Sequence, residues 1–139
     1  MYILDTDTLT HLHAGHPRVM QRLRRITDPS VAITIVTKIE LLRGRYEYVL
    51  KAASGAELLK AQQLLARTEA LLELLQVLPF NKIAATYFDQ LRRAKGLRKI
   101  GRADMLTASI ALAYRAILVT RNVRHFQPVS GLTIENWVD

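Results

Sequence analysis

The chain has 139 residues, no cysteine and a formal net charge of +8. That length suits one domain able to bury a core without covalent staples, and the lack of cysteine excludes disulfides and thiolate metal sites. So basic a balance points to an anionic partner, nucleic acid or an acidic polypeptide, and is silent about fold.

In chain order, Tyr2-Ile3-Leu4 is a short apolar run ending at Asp5 and predicts a buried strand. Thr6 to Ala14 suits a short helix, and Pro17 fits the first turn of another running to Arg25. Asp28-Pro29 is a turn signal. Val31 to Ile35 is β-branched apart from Ala32 and predicts a second strand. Thr37 to Leu42 opens a helix, and leucine and glutamate recur at helical spacing to Leu75, which predicts two helices with a break near Ser54-Gly55. Gln76 to Leu78 is a short strand ended by Pro79. Asn81 is a good N-cap for a helix whose apolar stripe is Ile83, Tyr87, Leu91 and Ala94. Ala103 to Arg115 reads as an alanine-rich helix, Ala116 to Thr120 as a strand, and Leu132 to Glu135 as a last short strand.

No internal repeat, low-complexity tract or linker interrupts this pattern, so residues 1–139 are expected to form a single domain. The leucine-rich stretch from Leu58 to Leu78 is broken by Lys60, Arg67, Glu69 and Glu73 and is no membrane span. No early segment has the build of a signal peptide, and the expected setting is a soluble, cytoplasmic protein. Strands alternating with helices predict an α/β fold, a three-layer α/β/α sandwich around a short parallel sheet. In such sheets ligands bind beyond the carboxyl ends of the strands, where the strand order reverses.

That rule directs attention to the acids. Asp5 closes the first strand and Asp7 follows it. Glu40 lies near the start of the helix after the second strand, Asp104 begins the alanine-rich helix, and Thr120 and Asn122 end and follow the next strand. Carboxylates gathered at one edge repel unless a cation holds them, and hard divalent ions such as Mg²⁺ or Mn²⁺ take oxygen ligands of this type. Each acid also has a plainer explanation. Thr37-Lys38-Ile39-Glu40 fits a capping box, which taken alone is the favoured reading for Glu40. Asp104 near a helix N-terminus is favourable through the macrodipole. Asp5 is harder to explain away, because an acid ending a buried strand must find a partner.

His11, His13, His16 and His125 read as exposed or capping residues rather than as zinc ligands, since residues two apart diverge on a helix. The glycines form no phosphate-binding loop, and the serines no nucleophile elbow. Basic residues cluster as Arg22, Arg24 and Arg25; Arg43 and Arg45; Arg92, Arg93 and Lys95; Arg98, Lys99 and Arg102; and Arg121 and Arg124. Arginine forks match phosphate oxygens.

Taken in order, Leu4-Asp5-Thr6-Asp7, Thr37-Lys38-Ile39-Glu40-Leu41-Leu42-Arg43-Gly44, Ile100-Gly101-Arg102-Ala103-Asp104 and Val119-Thr120-Arg121-Asn122-Val123-Arg124-His125-Phe126, with Gly131 to Trp137, resemble the PIN-domain family. The likeness spans essentially the whole chain and is closest to the VapC toxins of bacterial type II toxin–antitoxin systems. It implies a Mg²⁺- or Mn²⁺-dependent endoribonuclease that cleaves RNA, is silenced by a VapB-like antitoxin and forms a homodimer. The family's metal ligands carry over onto Asp5, Glu40 and Asp104. Many members have a fourth acid after the last strand's Thr-Arg or Thr-Asn, where this chain has Asn122. Asp7, Thr6 and Thr120 are expected to support the ligands, Asn122 to hydrogen-bond a metal-bound water, and Arg43, Arg102 and Arg121 to steer the RNA backbone. The leucines from Leu58 to Leu75 read as core, and the resemblance adds a groove for the antitoxin. Two other readings stand beside this one: an RNA-binding protein that has lost catalysis, and a nuclease for structured DNA.

Overall fold

Alternation along the strands sets the architecture. In this computed structural model, which describes residues 1–27, 30–97 and 99–139, the strands are β1 (Tyr2–Leu4), β2 (Val31–Thr34), β3 (Gln76–Leu78), β4 (Ile117–Val119) and β5 (Thr133–Glu135). They form one sheet in the order β3-β2-β1-β4-β5, every pair parallel. Ile3 pairs with Ala32 on one side and Leu118 on the other, and all three enter one apolar cluster. Their chain neighbours Leu4, Ile33 and Val119 enter a second cluster on the opposite face. Both faces are therefore buried, as parallel sheets require.

Seven helices complete the described residues: α1 (Thr6–His13), α2 (Pro17–Arg25), α3 (Ile35–Lys51), α4 (Gly55–Leu74), α5 (Lys82–Arg93), α6 (Arg102–Ala113) and α7 (Val123–Phe126). Leu9, Val19, Leu41, Leu72 and Trp137 cover one face of the sheet; Ala84, Leu91, Ala108, Ile110 and Phe126 cover the other. This is the expected three-layer α/β/α sandwich. No described helix is long and apolar enough to cross a membrane.

Several boundaries differ from the sequence reading. The second strand stops at Thr34, whose buried hydroxyl accepts the Thr37 amide at 3.4 Å, so Ile35 opens α3 instead of closing the strand. A cap outweighs β-branched propensity there. The Thr37–Glu40 capping box does not form, because the Thr37 amide is already taken. On α5 the buried positions are Ala84, Phe88 and Leu91, while Ile83 is 56% exposed. The stripe turns to bury the Phe88 ring, the largest apolar group on the helix. Helix α7 was not anticipated, since four residues are too few to show a period. The expected turn at Asp28-Pro29 lies outside the described residues, as does Arg98.

Candidate active site

Strand order reverses at β1, which has β2 on one side and β4 on the other, so the crevice opens beyond the carboxyl ends of these central strands. Asp5 is the single residue between β1 and α1. Its amide donates to the Val119 carbonyl at 3.0 Å, and its Oδ1 accepts the Thr8 amide at 2.8 Å, capping α1. One acid thus ends a strand and starts a helix, and this fixes it at the rim of the crevice.

Glu40 lies on the second turn of α3 and accepts the Thr6 hydroxyl at 2.7 Å; that hydroxyl is also 3.1 Å from the Thr37 hydroxyl. Asp104 is on the first turn of α6, where the helix dipole favours its charge, and its Oδ2 lies 2.9 Å from Nε2 of His125 on α7. Burial pushes the Asp104 carboxyl above its ordinary range; His125 opposes the rise, and the Glu40 and Asp5 carboxylates add to it. The three acids, far apart in sequence, are close enough for their charges to interact.

The remaining predicted residues divide. Thr120 is fully buried at the end of β4 and accepts the Asn122 amide at 3.0 Å, while the exposed Asn122 side chain makes no capping bond. Arg43 and Arg102 line a cleft of about 350 Å³ with Glu40, floored by Val36, Ile39 and Leu106. Asp7 instead pairs with His11 on its own helix, at 3.6 Å. Arg121 is turned to Asp139, 3.2 Å away. His16 caps α2, as expected of a capping histidine. His125, read as exposed or capping, is the residue that sequence reasoning missed. Its one signal was its place in the segment following a strand that ends in the crevice.

The donor set suits a hard dication: the facing groups are carboxylates, and their mutual repulsion is what a bound cation relieves. Each acid currently has a protein partner, and among the described residues no three His, Asp or Glu side chains already stand as a ready coordination cage.

Comparison with known proteins identifies the family and the fold. The PIN domain model matches residues 2–131. Ribonuclease VapC2 of Rickettsia felis is 30% identical over 142 aligned residues, covering 99% of this chain and 98% of that protein. The tRNA(fMet)-specific endonuclease VapC of Shigella flexneri is 27% identical, covering 98% and 97%. Among solved structures, VapBC2 from Rickettsia felis bound to a fragment of its promoter DNA superposes with a TM-score of 0.77, at 27% identity and 98% coverage of both chains.

Proposed function

The chain belongs to the PIN-domain family, and we propose that it is a VapC-type endoribonuclease toxin in which Asp5, Glu40 and Asp104 hold Mg²⁺ or Mn²⁺. The observation that carries the reading is the convergence of three acids from β1–α1, α3 and α6 at one edge of the sheet, near enough for Asp5 and Glu40 to act on the Asp104 carboxyl. When bound, such a cation acidifies a water for attack on a phosphodiester and stabilises charge on the phosphoryl and leaving oxygens.

The chain's own residues do the positioning. Asp5 commits Oδ1 to the Thr8 amide, which fixes the carboxylate and leaves Oδ2 as the donor. The Thr6 hydroxyl steadies Glu40, and His125 steadies Asp104. Thr120 orders the turn that presents Asn122, an amide suited to hydrogen-bonding water or phosphate. Arg43 and Arg102 flank the acids and draw the RNA backbone toward an otherwise repulsive centre. Asp7 and Arg121 have lesser parts, given their engagement with His11 and Asp139.

A VapB-type antitoxin is the expected inhibitor, since the Rickettsia relative is solved as a VapBC assembly. The α3–α4 layer offers a place for it: Lys38, Leu42, Glu69, Leu72 and Glu73 line an amphipathic cleft, and Leu58, Leu59 and Leu74 are exposed on α4. Homodimerisation belongs to the same reading, and light scattering of the purified toxin measures it.

The deciding experiment is cleavage of matched RNA and DNA hairpins, with and without Mg²⁺ or Mn²⁺. The initiator tRNA named for the Shigella relative is the first natural substrate to try. Cation-dependent cutting of RNA that Asp5→Asn and Asp104→Asn abolish supports the proposal. Asn122 in the place of a fourth acid favours one competing reading, a protein that binds RNA without cutting it. Tight binding with no cleavage under any cation would establish that alternative, and preferred cutting of DNA would establish the other.

A further inference from the structure

Arg102 borders two clefts. On one side it lines the cleft with Glu40 and Arg43; on the other its guanidinium lies 5.6 Å from the centre of the Phe88 ring. Arg92, one helical turn along α5 from Phe88, places its own guanidinium 5.7 Å from the same ring. The two arginines, with Phe88, Leu97, Ile100 and Met105, line a second, open cleft of about 290 Å³. Of its lining residues, Arg102 lies two residues before Asp104 in the chain and Met105 directly follows it.

Three properties of this cleft select its occupant. Neither arginine has a carboxylate partner among the described residues, so both forks are free to meet an anion. Phe88 is 9% exposed and offers little stacking surface itself; it holds the two guanidiniums in place by cation–π attraction. The floor is apolar, and the volume is at the lower limit of small-molecule pockets, about 300 Å³, which suits one nucleotide better than a protein segment. Bases stack on guanidinium planes as well as on aromatic rings, and phosphates take arginine forks.

We propose that this cleft is a subsite for one nucleotide of single-stranded RNA adjoining the scissile phosphate. The base rests on the floor of Leu97, Ile100 and Met105 against the arginines, and Arg92 takes the phosphate. The inference rests on the endoribonuclease reading, with Arg102 linking the subsite to the acids.

The test uses a short fluorescent RNA that the parent protein cuts, bound to full-length Asp104→Asn protein in Mg²⁺. Removing bases one at a time should reveal one position where an abasic site weakens binding about tenfold, the usual worth of a stacked base. Adding the exposed Arg92→Gln substitution should weaken binding of the intact RNA and abolish sensitivity at that position. It should also flatten the plot of log affinity against log salt by about 0.7, the change for one phosphate contact on a single strand. Phe88→Leu, which removes the support for both arginines, should act in the same direction if circular dichroism shows it folded. In the cutting-competent protein the Arg92→Gln loss falls on KM rather than kcat. Unchanged affinity and salt slope in Arg92→Gln overturn the subsite, as does abasic sensitivity that persists there. So does an effect confined to antitoxin binding. A parent that cuts RNA beside an indifferent Arg92→Gln sinks the subsite alone; a parent that neither cuts nor binds RNA sinks the ribonuclease reading with it.

Discussion

Asp104 stands between the His125 imidazole, which opposes the rise of its carboxyl, and the Glu40 and Asp5 carboxylates, which add to it. Its carboxyl is raised in the folded protein, so the metal-free fold is favoured at low pH and loses that contribution as pH rises from the ordinary carboxylate range through the raised value. Replacing Asp104 with Asn removes the liability. The variant should show a metal-free melting temperature no lower than the parent's and a shallower decline as pH rises above the ordinary carboxylate range. Its RNA cleavage should nevertheless fall by at least about a hundredfold, in keeping with loss of a directly bound catalytic group. A melting temperature that drops sharply would mean that the His125 contact outweighs the repulsion. Thr6→Val tests the layer behind the ligands: Glu40 loses its donor, and cleavage should fall about 10- to 100-fold with little change in melting. At this scale the positions of Asp5 and Asp104 were legible, because acids that follow a buried strand or open a helix stand out against apolar runs; Glu40, on the second turn of α3, entered as a ligand through the family resemblance, its local pattern favouring a cap that does not form. The Asp104–His125 contact was not, since no local period joins two residues on different helices.

Elements are decided by their ends as much as by their faces. Ser54 accepts the Glu57 amide at 3.1 Å at the start of α4, and Asn81 accepts the Ala84 amide at 2.8 Å at the start of α5. Asn81→Ala should cost about 1 kcal/mol, read by urea unfolding, because one orphan amide then lacks its partner. A loss below a few tenths would show that water replaces the cap without penalty. The start of α5 was readable from residue type alone, and so was a break near Ser54-Gly55, though not the cap that Ser54 makes there. The start of α3 was not. Ile35 and Val36 have strand propensity, and a buried threonine one residue earlier overrode it through a hydrogen bond that no sequence pattern displays. The phase of α5 failed for a related reason: Ile83 and Tyr87 matched a helical stripe, but the bulk of Phe88 decided which face turned inward.

The whole molecule carries +8 against an acidic centre, and the two requirements meet in the arginines around the crevice. Affinity for RNA should fall steeply and linearly on a log–log plot as salt rises, and a flat plot would argue against phosphate-led binding. Chelation should stop cleavage while leaving the fold intact, because both cores close without any metal ligand. Millimolar Mg²⁺ should raise the parent's melting temperature and leave Asp104→Asn unmoved, as mass action on the native state demands. The sandwich itself was legible from alternating strands and helices. Which strand takes the centre was not, because β1 joins β4 only through pairing between residues at opposite ends of the order of synthesis.

That pairing has a consequence during translation. Asp5 docks its amide on Val119, and Thr8 reaches the same carbonyl at 3.2 Å across a separation of 111 residues. A growing polypeptide that has emerged as far as α4 owns two of the acids and lacks both the strand that seats the first and the helix that brings the third. The edge where Asp5, Glu40 and Asp104 meet can therefore close only after β4 has left the ribosome, when nearly the whole polypeptide has been made.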